Sequence, residues 1–280
     1  MKKIITLIIL ITFVGASAIA QEVYVNERLE KLWETSAGLK TPESVLFDPS
    51  EKIIYVANIN DNPWEKDGNG YVTRHKENGN IINYEWVKEM DAPKGMGLLQ
   101  GKLYVTNIDE VIEIDVTGSK ITQRYKHPKA VNLNDIAVGA DGRVFVSDSK
   151  GNYIFEIFNG VMDILYQADQ PTNGLFYETG RLLCGQKNQI AALDLTTKTM
   201  STFIEETGSI DGIEAVGDST YLISDWSGRV HLVQQGQPKL LLLDTTPKEI
   251  NAADIEFDPY ERILYVPTFF KNSVTAYKLK

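Results

Sequence analysis

The chain has 280 residues, 43% of them hydrophobic and 24% charged, with 10% aromatics, 21 Gly and 10 Pro. That composition supplies a globular core and excludes a disordered, collagenous or disulfide-stapled chain. Against 28 Lys and Arg stand 38 Asp and Glu, a net charge of −10 that repels phosphate backbones and argues against nucleic-acid binding.

The first segment reads as a secretory signal. Lys2 and Lys3 precede an apolar run over residues 4–14, and Ala18-Ile19-Ala20 offers a small-x-small cleavage site before Gln21. The uncharged stretch ends in small residues and falls short of the roughly 20 apolar residues of a spanning helix. The expected product is residues 21–280 as a single domain, periplasmic or secreted, with no membrane association after cleavage. No Cys follows the apolar run, which excludes a lipid anchor there. Residues 22–33 are the only stretch with a brief helical pattern. Cys184, the single cysteine, lies in the apolar Arg181-Leu182-Leu183-Cys184-Gly185 and reads as a small buried hydrophobe.

Past residue 40 the chain repeats. Each unit has a polar residue, a short apolar segment, a tight turn, a second β-rich segment and a polar break. The third is Asn134-Asp135-Ile136-Ala137-Val138, a turn at Ala140-Asp141-Gly142, then Val144-Phe145-Val146-Ser147-Asp148. The fifth repeats it as Asp211-Gly212-Ile213-Glu214-Ala215-Val216 and Tyr221-Leu222-Ile223-Ser224-Asp225. Alignment puts Glu43, Lys94, Asp135, Asn173, Asp211 and Asp254 at equivalent positions, spaced by roughly 40 to 50 residues, the length of a four-stranded blade. The fold class expected is all-β, a six-bladed β-propeller. The last unit is one strand short, and a segment near residues 32–35 is expected to pair with residues 274–277 and close the ring.

In such a ring the innermost strands line a channel, and their first residues converge at one mouth. Four carboxylates (Glu43, Asp135, Asp211 and Asp254) with the amides of Asn134 and Asn173 make an oxygen-rich cluster suited to Ca²⁺ or Mg²⁺, or to an adventitious Zn²⁺. The three histidines, His75, His127 and His231, lie outside these positions. Polar residues at these places also suit a wet channel without a metal.

Pro42-Glu43-Ser44, Leu133-Asn134-Asp135, Thr172-Asn173-Gly174-Leu175 and Ile210-Asp211-Gly212-Ile213 resemble the motifs of the senescence-marker-protein/gluconolactonase family. The resemblance spans the whole mature chain as six units, through motifs of three or four residues. It implies one divalent cation held by Glu43, Asn173 and Asp211, with Asp211 also the general base and Asn134 contacting substrate or a metal-bound water. The implied activity is metal-dependent hydrolysis of a lactone or similar small ester, with no protein partner evident. Two departures stand out: Val45 replaces the family's Pro after Glu-Ser, and Val131, Asn132 and Leu133 stand where family lactonases often carry an Arg for sugar hydroxyls. These point to a retained metal with a different substrate.

Lys94 is the odd member of the set. It either binds a substrate carboxylate or oxyanion or offsets the carboxylate excess, and Asp135 joins Asn134 and Lys94 as a substrate-binding candidate. Asp254 is either an outer acceptor for a metal-bound water or a channel residue. Residues 61–70 account for the long first spacing and read as a lid carrying Trp64. Asp148 and Asp225 read as turn-forming side chains. The rival function is a non-catalytic propeller binding a ligand or protein partner; a strictosidine-synthase-like condensing enzyme shares the ring but would want a pocket Glu and disulfides.

Overall fold

The computed structural model describes residues 22–35 and 38–280. The expected leader, residues 1–20, lies outside them. Six antiparallel sheets follow in order: residues 42–90, 93–126, 133–167, 175–205 and 213–244, then a last sheet of residues 256–279. They form the six-bladed β-propeller. Each blade runs from the channel outward in chain order, so every innermost strand starts at the same mouth.

Burial explains the sequence pattern. Second strands are covered on both faces by neighbouring blades and carry near-continuous apolar runs; all six residues of Ile53–Asn58 are buried. Outer strands such as Lys120–Lys126 meet solvent on one side and are mostly polar. The core accordingly lies between blades. Leu222, Val230 and Leu243 of the fifth pack with Phe257, Leu264 and Tyr277 of the sixth, and Phe145 stacks on Tyr177 across the third and fourth at 5.8 Å. Cys184 is fully buried in this packing and its thiol is pushed up by desolvation, as expected of an inert hydrophobe.

The ring closes through the N-terminal segment. Leu29–Glu34 pairs antiparallel with Val274–Leu279, with Lys31 opposite Tyr277, Trp33 opposite Ala276 and Glu34 opposite Thr275. The brief helix anticipated over residues 22–33 does not form. Tyr24–Val25 instead adds a fifth strand to the fifth blade, pairing with Asp244 and Leu243. Tertiary pairing overrides a weak local preference there, because the two blade edges offer ready backbone partners. At the channel the ring is sealed by Asp254 N–H donating to Glu43 O at 3.0 Å.

Candidate functional site

The six aligned residues stand at or just before the start of each innermost strand, by two local routes. In the first three blades the ladder between first and second strands slips at the site residue: between Pro42 and Ser44, Pro93 and Met96, and Leu133 and Ile136. Such bulges re-aim side chains. In the other three, Asn173, Asp211 and Asp254 precede the regular strands Leu175–Glu178, Ile213–Gly217 and Glu256–Asp258. Released from the pleat, these side chains turn into the channel. Close approach of neighbouring blades then needs small residues. A Cβ on Gly95 would lie 2.5 Å from Asp135 Cα, and one on Gly212 would lie 2.7 Å from Asp254 Oδ1.

Hydroxyls on second strands hold this entrance in shape. Thr106 Oγ1 donates to Asn134 O at 2.6 Å, Asp135 N–H donates to Ser147 Oγ at 2.9 Å, and Gly212 N–H donates to Ser224 Oγ at 2.8 Å. The serines that precede Asp148 and Asp225 therefore shape the mouth, a role their sequence context does not signal. The aspartates do form turns: Asp148 accepts from Val131, Asn132, Lys150 and Gly151 N–H, and Asp225 accepts from Ser227 N–H.

Within the mouth two groupings separate. Glu43, Lys94, Asn173 and Asp211 form the first. Lys94 Nζ lies 3.9 Å from Glu43 Oε1, both side chains almost wholly buried. Asn173 Nδ2 donates to Asp211 Oδ1 at 2.6 Å. Glu43 Oε2, Asn173 Oδ1 and Asp211 Oδ2 are each buried without a hydrogen-bond partner. Every one of the three residues that the family resemblance marks as ligands thus keeps one unsatisfied oxygen. A buried polar atom in that state carries a desolvation cost until a water, an ion or a substrate atom meets it. Six other buried atoms of the described residues are also unpartnered: Tyr55 Oη, Arg74 Nε and Glu110 Oε2 on strands, and Asn69, Asn132 and Asn251 Oδ1 in the segments that connect strands. Among the described residues no three His, Cys, Asp or Glu side chains, the mouth's four carboxylates included, are grouped closely enough to hold a metal ion by themselves. Burial pushes Asp211 up to about 6, against the lowering influence of Lys94 and the Asn173 bond. Burial likewise pushes Glu43 to about 8, with Lys94 opposing and Asp211 and Asp135 adding repulsion.

The second grouping is Asp135 and Asp254. Asp135 Oδ2 accepts from Leu175 N–H at 2.6 Å and Oδ1 from Ile136 N–H at 2.6 Å, so its carboxylate ties the third blade to the fourth. Asp254 Oδ2 accepts from Ser44 Oγ at 2.8 Å, tying the sixth to the first. Both sit deeper, where a cavity of about 390 Å³ continues down the channel past Glu214 and Glu256. Those two carboxyls were not anticipated; alternation along Ile213-Glu214-Ala215 and Ile255-Glu256-Phe257 was the available signal. Burial pushes Glu256 up to about 8, and Glu214 is likewise raised by burial and by repulsion from Glu256.

Beside Asn173 and Asp211 a cavity of about 520 Å³ is lined by these two with Gln186, Pro171, Ile210 and Trp226, among others. Trp226 stacks edge-on to Phe269 and Phe270 on the rim. Asn134, 9% exposed, stands at the start of the third inner strand. Across the mouth, the segment before Gly70 is pinned by Lys66 to Asp109 at 2.6 Å and by Gly68 N–H to Asp91 Oδ1 at 3.1 Å. It lays the Trp64 ring beside Lys94 Nζ at 4.9 Å and Lys150 Nζ at 4.0 Å. The indole, half exposed, reaches from the first blade to the second and third.

No protein-family model matches the chain, and no curated protein matches it. Solved structures do. A gluconolactonase from Xanthomonas campestris superposes with a TM-score of 0.69 at 16% identity, over 90% of this chain and 89% of that one. A presumed gluconolactonase gives 0.67 at 16%, over 89% and 91%. A catalytically inactive histidine-to-alanine variant of virginiamycin B lyase from Staphylococcus aureus, solved with quinupristin, gives 0.64 at 14%, over 92% and 100%. At these identities the likeness establishes that this chain shares their propeller fold, with gluconolactonases among its structural neighbours.

Proposed function

We propose that the chain is a divalent-metal-dependent hydrolase of a lactone or similar small ester. The observation that carries this reading is the set of three buried, unpartnered oxygens on Glu43, Asn173 and Asp211, one from each of three blades, with Asn173 and Asp211 also lining a cavity of about 520 Å³. Two carboxylates and one amide are hard donors suited to Ca²⁺ or Mg²⁺, and these three residues would hold the ion. When bound, such a cation polarises a carbonyl oxygen and acidifies water.

The chain's own residues supply the rest. Asp211, near 6, sits close to neutral pH, where a carboxylate both exists and accepts a proton effectively. Asn173 fixes its orientation through the Nδ2–Oδ1 bond. Asn134, buried at the start of the third inner strand, is assigned the substrate or metal-bound water contact that the family resemblance implies. Trp226 and Ile210 give the cavity an apolar wall against which the non-polar part of a substrate would pack. Asp135 is assigned to bracing rather than substrate binding, since both its oxygens already accept backbone N–H bonds. Asp254, bonded to Ser44, takes a similar supporting role.

The lyase in the structural set loses activity with a histidine, and no histidine stands among the residues of this mouth. His75 is buried between Thr73 and Gly79 within the first blade, and His127 packs on Phe155. The hydrolase reading is therefore preferred over a histidine-dependent lyase. Residues 1–20 would direct the chain to the periplasm or outside the cell, which N-terminal sequencing of the mature protein tests through a start at Gln21. The activity is tested by elemental analysis of the purified protein followed by hydrolysis assays on a lactone and ester panel, with and without chelator. Turnover that rises with added Ca²⁺ or Mg²⁺ and is lost in chelator is expected, with metal found at stoichiometry only when the buffer supplies it at millimolar concentration. Ligand binding without turnover of any member would favour a binding propeller.

A further inference from the structure

The mouth contains a cation of its own. Lys94 is only 3% exposed, and its ammonium lies 3.9 Å from Glu43 Oε1, beyond hydrogen-bond length but well within Coulombic reach. It also acts on Asp211, whose carboxylate it favours. The ammonium's other neighbour is the Trp64 ring at 4.9 Å, which Lys150 approaches as well. Lys94 thus balances charge on the two carboxylates without consuming the lone pairs of Glu43 Oε2 or Asp211 Oδ2.

Those two facts have different consequences for a divalent ion. Free lone pairs let it bind, whereas the resident positive charge opposes it. Affinity in oxygen-donor sites follows the net charge of the donor set. With both carboxyls ionised, as ligation of a cation demands, two carboxylates and one ammonium present a net charge of about −1 where the donors alone would give about −2. We propose that Lys94 is a built-in counter-cation that stabilises the metal-free mouth and holds the divalent-metal affinity of Glu43, Asn173 and Asp211 low. This inference rests on the metal reading above. It accounts for a lysine at a position where the other five aligned residues are oxygen donors.

The test is Ca²⁺ titration of the chelator-treated full chain by calorimetry, in wild type, Lys94→Met and Lys94→Arg, with melting followed by circular dichroism. Wild type should bind Ca²⁺ with a Kd of about 10⁻⁴ to 10⁻³ M, as low-affinity oxygen sites do. Lys94→Met should bind at least about tenfold tighter, since a unit charge is removed a few ångströms from the ion, and Lys94→Arg should resemble wild type. In chelator the Met variant should melt lower than wild type, with a larger rise on adding Ca²⁺. Lys94→Gln serves the same comparison if the Met variant does not fold. Binding by the neutral variants alone supports the proposal in its strongest form. Equal or weaker Ca²⁺ affinity in folded neutral variants overturns the counter-cation role while leaving the metal site standing. Absence of binding by every form, with Ca²⁺, Mg²⁺ and Zn²⁺, removes the metal reading and this inference with it.

Discussion

Replacing Asp135 with alanine separates a brace from a chemical group. In the folded chain the carboxylate accepts backbone N–H bonds from Leu175 and Ile136, both 2.6 Å long and buried. Hydrogen bonds to charged groups contribute about 1.5–3 kcal/mol each, so two sum to about 3–6 kcal/mol. Part of that is offset, because desolvation and repulsion from Asp211 push Asp135 up to about 7 and the substitution relieves both. A net destabilisation of about 3 kcal/mol is expected. For a chain somewhat longer than 250 residues, that lowers Tm by about 6 °C at about 2 °C per kcal/mol. Asp135→Asn keeps one acceptor and should fall between the two. Calorimetric melting and urea midpoints, measured in chelator so that metal binding does not contribute, read the effect. An alanine variant that melts within about 1 °C of wild type yet loses turnover would refute the bracing role and return Asp135 to the substrate-contacting set.

Asp211→Ala, which removes a charged donor and the proton acceptor, should abolish both Ca²⁺ binding and turnover, whereas Asn173→Ala removes a neutral donor and should weaken metal binding less; calorimetric Ca²⁺ titration distinguishes them, and wild-type affinity in both would place the ion elsewhere. Deleting residues 22–35 strips the outer strand from Val274–Leu279 and exposes that edge, so the truncated chain should melt lower and aggregate; a soluble truncation with unchanged Tm would contradict closure by this segment. Glu256 keeps its proton up to about 8 when folded against an ordinary 4.5, so the folded state binds more protons between those values. Its contribution is then fully present below about pH 4.5 and lost as pH rises through about 8. The metal-free chain should show a lower urea midpoint at pH 8.5 than at pH 5.5, with the decline smaller in Glu256→Gln; an equal decline in the variant would remove Glu256 as a cause.

Much of the architecture was written locally. A polar residue, an apolar strand, a turn and a second apolar strand recur six times, and each copy is a unit that cannot bury its faces alone. Stacking six of them forces the ring, and the missing last strand forces residues near Trp33 to supply it. The convergence of Glu43, Lys94, Asn173 and Asp211 followed from the same alignment, since equivalent positions of a closed ring must meet at its axis. What local pattern could not decide was which oxygens would be left over. Asp135 and Asp211 occupy equivalent places in their units, yet the fourth blade presents Leu175 N–H to Asp135, while Asp211 meets only the Asn173 amide and keeps one oxygen unpaired. That difference depends on how each blade abuts the next, through gaps as narrow as those at Gly95 and Gly212. The strand at Tyr24–Val25, the indole of Trp64 lying beside two lysines and the carboxyls of Glu214 and Glu256 deep in the channel have the same origin. Each is set by residues distant in the chain, brought together only when the ring closes.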